Sequence, residues 1–244
     1  MKYVLIIPAR YKSSRFPGKP LAKIKGKYLI QRVWERCVNS FPKDDVYVAT
    51  DDDNIQSVCE NFGAKVVMTP SDCLTGTDRL YEASKKIDAD MYINVQGDEP
   101  LINSEDIQKV IEVSKENPEK VINAMCSINS EEEFRLDSIP KVVTNLSNEM
   151  MYMSRGAIPT TKSLGFVKAY KQVCIMIYPK KMLKIFSEKK EKTPVESLED
   201  LELLRFLELG YKVQMVEVST SSIAVDYPED IQKVEKELER RNED

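Results

Sequence analysis

Read for the spacing of its apolar and polar positions, the first hundred residues alternate short apolar runs with amphipathic stretches. Residues 2–8 form a continuous aliphatic run closed by a proline, the pattern of a strand buried on both faces. In residues 29–39, Ile30, Val33, Trp34 and Cys37 recur at helical spacing and predict an amphipathic helix. Strands are predicted at 46–50 and 65–68 and over the apolar run of Tyr92, Ile93 and Val95 that stops at Gly97, with helices at 55–62 and from about Ser104. This alternation to residue 110 predicts an α/β fold, a mostly parallel sheet with right-handed crossovers. Beyond residue 121 the pattern loosens into strands at 121–126, 141–145, 150–153, 171–178 and 213–218. A charged helix is predicted at 197–209 and a terminal one from Pro228, running into the charged tail 233–244.

The places where strands end carry the candidate chemistry. The apolar run Tyr92, Ile93, Val95 stops at Gly97, and Asp98 and Glu99 stand just before Pro100. Proline cannot continue a ladder, so these acids reach the carboxyl edge of the sheet, where ligands bind in open α/β folds. An acid there can hold a divalent cation against nucleotide phosphates, or it can cap the helix near Ser104. The loop at 9–20 carries Arg10, Lys12, Arg15 and Lys19 with the hydroxyls of Ser13 and Ser14. Four cations so close together repel unless an anion lies among them, and a triphosphate fits, although a solvated surface turn has the same composition. The acids at 51–53 read as the start of the next helix. In residues 75–79, Gly76 leaves room for a flat base, and Thr75 or Thr77 offers a hydroxyl to its edge. Thr77 equally reads as the N-cap of a helix over 78–86, and the two roles are compatible.

Composition narrows the choice. The chain has 244 residues, 42% hydrophobic and 31% charged, which is globular and fits one domain with a smaller lobe. A net charge of −4 argues against nonspecific nucleic-acid binding. The five cysteines form no CxxC pair and predict free thiols in a reducing cytoplasm. The absence of histidine excludes a Ser-His-Asp triad and a histidine-ligated zinc. The apolar stretch 3–7 is too short for a signal segment or a membrane span, so a cytoplasmic protein is expected.

Taken together, IIPAR (6–10), RFPGKPL (15–21), VATDD (48–52), TGTDR (75–79), NVQGDEP (94–100), KVV (141–143), MSRGAIP (153–159) and VDYPED (225–230) make a sequence that resembles the 3-deoxy-manno-octulosonate (Kdo) cytidylyltransferases over nearly its full length. The resemblance implies a Rossmann-like nucleotidyltransferase domain with a smaller dimerisation lobe inserted at roughly 145–195, generally a homodimer. It implies transfer of CMP from CTP to a small acidic acceptor, with release of pyrophosphate and dependence on Mg²⁺, for surface polysaccharide such as lipopolysaccharide or capsule. Carried over residue by residue, Pro8, Ala9, Arg10, Ser13, Arg15 and Lys19 would embrace the triphosphate. Thr75, Gly76, Thr77 and Arg79 would sit by the cytosine, and Gln96 near the acceptor. Asp98 and Asp226 would bind Mg²⁺, and Arg155 would clamp the acceptor carboxylate.

The acceptor side departs from the family pattern. Where the family reads His-x-Gly-Ile-Tyr-Gly, this chain has Gln172, Cys174, Met176 and Ile177, and Leu203 replaces a glutamine ahead of Arg205. Ala224 stands where glycine is common. Such changes fit an acceptor other than Kdo, such as another sugar acid or a phosphonate or phosphate-bearing molecule, and also a nucleotide-binding homologue without catalysis.

Overall fold

The computed structural model describes residues 1–13, 15–219 and 222–243. Ser14 of the cationic loop, Ser221 and the terminal Asp244 fall outside them. In chain order the elements begin with β1 (Tyr3–Ala9), a 3-10 turn at Lys19–Leu21, and the short strands β2 (Lys23–Ile24) and β3 (Lys27–Tyr28). Then come α1 (Leu29–Val38), β4 (Val46–Thr50), α2 (Asp53–Asn61), β5 (Lys65–Met68), α3 (Gly76–Ser84), β6 (Met91–Val95) and α4 (Ser104–Glu116). Next are β7 (Val121–Ser127), α5 (Glu131–Arg135), β8 (Lys141–Thr144), β9 (Met150–Ser154), β10 (Tyr170–Pro179) and α6 (Lys180–Glu188). The chain closes with α7 (Pro194–Glu199), α8 (Leu204–Glu208), β11 (Val213–Glu217) and α9 (Asp230–Arg240). It divides into two compact units, residues 1–108 with 221–244, and residues 109–220. The second encloses the 145–195 stretch.

In the first unit the strands are parallel in the order β6-β1-β4-β5. From β1 the chain moves outward through β4 and β5, then returns to the other side of β1 as β6. The loops after β1 and β6 therefore diverge, and the crevice between them at the carboxyl edge is the ligand position of an open α/β sheet. Val4, Leu5, Ile6 and Ile7 are fully buried, as the unbroken apolar run predicts, and α1 packs Leu29, Ile30, Val33 and Cys37 inward. Asp52 caps α2, accepting from the Asn54 and Ile55 N–H groups at 3.0 Å each, so the acids after β4 do start the helix.

In the second unit β11 runs parallel to β7, whereas β7–β10, β10–β8 and β8–β9 are antiparallel. A bulge interrupts β10 between Val173 and Met176, and Asn123 Nδ2 donates to the Val173 and Ile175 carbonyls at 2.9 and 3.0 Å to satisfy it. The single helix expected at 197–209 is two, because Asp200 turns left-handed at φ 52. Across that break Arg205 clasps Glu196 in a fork at 2.6 and 2.7 Å, both side chains buried, with the guanidinium 3.6 Å from the centre of the Phe186 ring. The α6 segment was not predicted; Met182, Leu183 and Phe186 are its buried face. Among the described residues no helix is long and apolar enough to cross a membrane.

Glu149 fastens the turn between β8 and β9 to neighbouring chain. Hydrogen bonds from Lys212, Lys120 and Asn145 hold its carboxyl at a pKa of about 2. A carboxyl with a depressed folded pKa stabilises the protein above its unfolded value and loses that contribution as pH falls. Glu149→Gln should therefore be less stable than the parent near pH 7 in thermal unfolding, with the difference closing between about pH 4.5 and 2.

Candidate active site

All the geometry of the crevice comes from the first unit. A Cβ added at Gly97 would meet the Pro8 carbonyl oxygen at 2.8 Å, so only glycine lets the end of β6 lie this close to the end of β1. The cationic loop is closed by Gly18, in the left-handed conformation at φ 70, whose N–H donates to the Tyr11 carbonyl at 2.9 Å. Ser13 Oγ accepts from the Phe16 N–H at 3.3 Å, and Phe16 packs on the cluster of Ile24, Leu29, Leu101 and Val225. Arg10, Tyr11, Lys12, Ser13 and Pro17 line a cavity of about 530 Å³. Arg10 is exposed and, among the described residues, makes no ion pair.

Closing the loop delivers Lys19 to the carboxylates. Its ammonium donates to Asp98 Oδ2 at 2.8 Å and to the Val225 carbonyl at 2.8 Å, and lies 3.9 Å from Asp226 Oδ1. Arg15 Nη2 is 3.0 Å from the same Asp226 oxygen, with its guanidinium 5.6 Å from the centre of the Tyr227 ring. Two aspartates far apart in sequence thus face one ammonium. Together with the Val225 carbonyl they form an all-oxygen set of the kind that holds a hard divalent cation. Among the described residues no group of three or more His, Cys, Asp or Glu gathers for a metal.

Backbone and core pairing bring Asp226 to its place. The Val225 N–H donates to the Asp98 carbonyl at 2.9 Å, and Val225 itself is fully buried with Leu101, Val234 and Leu238. Ser222 Oγ donates to the Glu99 carboxylate, so the second acid of the pair ties down the segment that carries Asp226. On the other side Asp230 Oδ2 accepts from the Asp226 and Tyr227 N–H groups at 3.0 and 2.9 Å. Burial works to raise the Asp230 pKa, but the bond from Lys233 and those two N–H groups outweigh it and hold the carboxyl below the usual range. The capping role open to Asp98 and Glu99 falls instead to Asn103, whose side-chain oxygen accepts from the Glu105 N–H at 3.0 Å.

Residues 75–79 differ in detail from the expectation. The cap of α3 is Thr75, not Thr77: Thr75 Oγ1 accepts from the Asp78 N–H at 3.1 Å, and the Asp78 carboxylate accepts from the Thr75 N–H at 3.0 Å. Thr77 is fully buried, which removes its hydroxyl from the surface. The Gln96 carboxamide lies against Gly76, in space that a side chain there would take. Arg79 is also buried, donating to Thr69 Oγ1 at 2.6 Å and pairing with Asp51 at 3.3 Å. Its position is that of a brace between α3 and the end of β4. Pro8 and Ala9 are buried at the end of β1.

Arg155, Gln172 and Met176 belong to the second unit. Three Arg155 guanidinium nitrogens donate to carbonyls, Nε to Glu199 at 2.7 Å, Nη1 to Asp137 at 3.1 Å and Nη2 to Asp200 at 3.3 Å. Of the five N–H groups of an arginine, those bonds leave two for a ligand. Glu199 accepts from Ser154 Oγ at 2.6 Å and from the Arg155 N–H at 2.9 Å. Burial works against that carboxylate, and these bonds still keep its pKa below the usual range. Beneath them Lys141 is fully buried, its ammonium bonded to the Leu136 and Arg155 carbonyls at 2.7 and 2.5 Å and its pKa pushed down by that burial. Met176 is a core residue whose sulfur accepts from the Tyr178 hydroxyl at 3.2 Å, and Gln172 is half-buried. Nothing in the local pattern distinguished Lys141 as buried, Glu99 as a tether, or the Val225 carbonyl as part of the cation's surroundings. Each depends on a partner distant in sequence.

This crevice, with a cationic loop after the first strand facing paired acids, is that of a nucleotidyltransferase. A family model described as cytidylyltransferase matches residues 4–217. The chain is 41% identical to the 3-deoxy-manno-octulosonate cytidylyltransferase of Syntrophotalea carbinolica, over 98% of this chain and 99% of that one. It is also 41% identical to the 8-amino-3,8-dideoxy-manno-octulosonate cytidylyltransferase of Shewanella baltica, with the same shares covered. A solved structure of CMP:2-keto-3-deoxy-manno-octonic acid synthetase complexed with CTP superposes with a TM-score of 0.92 at 37% identity, covering 99% of this chain and 100% of that one. The chain belongs to the 3-deoxy-manno-octulosonate cytidylyltransferases within the cytidylyltransferase family.

Gly97→Ala tests the close approach of β6 to β1. The new Cβ meets a backbone carbonyl that cannot rotate aside, so thermal or denaturant unfolding should register a loss of about 1 to 3 kcal/mol. CTP binding, measured by calorimetry, should weaken with it.

Proposed function

We propose that this protein catalyses Mg²⁺-dependent transfer of the cytidylyl group from CTP to the anomeric hydroxyl of Kdo or a closely related ulosonic acid, releasing pyrophosphate. The observation that carries this reading is the convergence of Asp98, Asp226 and Lys19 beside the cationic loop at the switch point of the sheet. The acceptor class rests on identities near 41% to enzymes named for Kdo and for its 8-amino analogue. Both are eight-carbon sugar acids, and the Gln172 departure then tunes the choice among such acids, whereas Met176 is spent on core packing with Tyr178 and offers the acceptor nothing.

In this reading Arg10, Arg15 and Lys19 bind the triphosphate and take up charge on the departing pyrophosphate, where guanidinium and ammonium groups act most strongly. The acceptor oxygen bonds to the α-phosphorus as the bond to pyrophosphate breaks, and the hydroxyl proton passes to solvent. Asp98 and Asp226 would hold Mg²⁺, whose charge polarises the phosphoryl group and eases loss of that proton. The α3 N-terminus at Thr75 and Gly76 borders the nucleoside side. Gln96, which lies against Gly76, serves that side in place of the acceptor role expected for it, and Arg155 offers its two remaining N–H groups to the acceptor carboxylate.

Asp98→Asn keeps the shape of the side chain and removes its charge. Pyrophosphate release from CTP and Kdo should fall by about a hundredfold or more, and chelation of Mg²⁺ should abolish it in the parent. Turnover that survives both treatments rules out the metal role. The same assay run with Kdo, its 8-amino analogue and phosphonates identifies the acceptor, and CTP binding without release on every acceptor would leave a nucleotide-binding protein instead.

We further propose a cytoplasmic homodimer serving lipopolysaccharide or capsule synthesis. The second unit exposes Leu146, Met151, Leu164, Val167 and Leu198, apolar side chains suited to burial in an interface. Light scattering should give twice the 28.0 kDa of one chain, and a monomeric mass at micromolar concentration would exclude the dimer.

A further inference from the structure

The ammonium of Lys19 sits where a cation bound by Asp98 and Asp226 would sit. It touches Asp98 Oδ2 and the Val225 carbonyl at 2.8 Å each, and it approaches Asp226 Oδ1 at 3.9 Å. The Lys19 side chain is only 16% exposed, so this is a seated group and not one waving in solvent. Arg15 closes on the same Asp226 oxygen at 3.0 Å. The set of oxygens that would attract a divalent ion is therefore already neutralised by two of the cations expected to hold the triphosphate.

We propose that Lys19 is a built-in counter-ion that keeps the metal position closed until a nucleotide arrives, an inference that rests on the metal assignment above. A divalent ion cannot occupy the position that the Lys19 ammonium already fills between Asp98 Oδ2 and the Val225 carbonyl, because two like charges in contact there repel each other strongly in a partly buried crevice. A metal ion entering by itself must expel Lys19 into a crevice that offers it no other anion among these contacts. A triphosphate supplies that anion. Lys19 and Arg15 then swing from carboxylate to phosphate, and the oxygens they leave are free for the ion that accompanies the nucleotide. Nucleotide and metal are thereby coupled through one side chain, and the coupling acts equally in both directions. Without nucleotide, the protein should bind a divalent ion weakly, because the competent arrangement is a minor fraction of the population.

The test is binding of Mn²⁺ to the full chain with no nucleotide or acceptor present, followed by the loss of the free-ion paramagnetic resonance signal. Lys19→Met removes the counter-ion and should tighten Mn²⁺ binding by about tenfold or more, the factor expected when the closed arrangement outweighs the open one by about ten to one. Lys19→Gln should do the same, and it keeps a polar partner for the carboxylates should the methionine variant fail to fold. If neither folded variant binds Mn²⁺ more tightly than the parent, the counter-ion role is overturned while the metal assignment stands. Adding Asp226→Asn to Lys19→Met separates the two ideas, because it should erase the gain. A gain that survives that second substitution places the ion elsewhere and overturns the metal assignment together with the counter-ion role.

Discussion

The hydrogen bond from the Val225 N–H to the Asp98 carbonyl is the constraint on which the crevice depends. It is a single backbone contact between segments more than a hundred residues apart, and one such bond contributes only about 1 kcal/mol. Its persistence comes from what surrounds it. Val225 is buried in the cluster with Leu101 and Val234, Glu99 holds Ser222, and Asp230 holds the N–H groups of Asp226 and Tyr227. Three independent attachments within nine residues fix the direction of the Asp226 side chain. The fork of the sheet supplies the other wall, because Gly97 lets β6 reach the Pro8 carbonyl and Gly18 folds the cationic loop back over the same edge.

Charge in this region is arranged with little desolvation. Asp98 and Asp226 are 28% and 27% exposed and their cationic partners sit within hydrogen-bond reach or close to it, so an exchange of partners there strands no charge in the core. The contrast is Glu196 with Arg205, both buried, where exchange would leave an unpaired charge in the core. The Asp98–Lys19 pair is open to exchange and the Glu196–Arg205 pair is not; the residue types are alike in kind, and exposure separates them.

Much of this was legible in the sequence where a signal is local. The bounds of β4 and β5 and the start of α1 follow from apolar runs and spacing alone. Asp98, Lys19 and Asp226 were legible because the motifs around them are specific in combination. The remainder required partners that no window contains. Thr75 takes the cap in place of Thr77 because Asp78, three residues on, completes the reciprocal box. The helix expected at 197–209 breaks at Asp200, where the Glu196–Arg205 fork folds the two halves together. The α6 helix is short, and its apolar positions Met182, Leu183 and Phe186, spaced for a helix, lie among lysines that also read as a solvated turn after Pro179. Arg79 offers a guanidinium that sequence alone cannot distinguish from a ligand-facing one, and burial beside Asp51 makes it a brace.

The first unit is discontinuous along the chain, formed by residues 1–108 and 221–244, with all of 109–220 inserted between its two aspartates. Recombination with crossovers near those two junctions would replace the inserted segment wholesale and return the same carboxylate pair to the same loop. Arg155, Gln172 and Met176 all lie within the exchangeable segment, while Lys19, Asp98 and Asp226 lie outside it. On the acceptor role proposed for Arg155 and the nucleotide role proposed for Lys19, Asp98 and Asp226, a gene of this layout would acquire a new acceptor preference by a cassette swap and inherit its nucleotide chemistry unchanged.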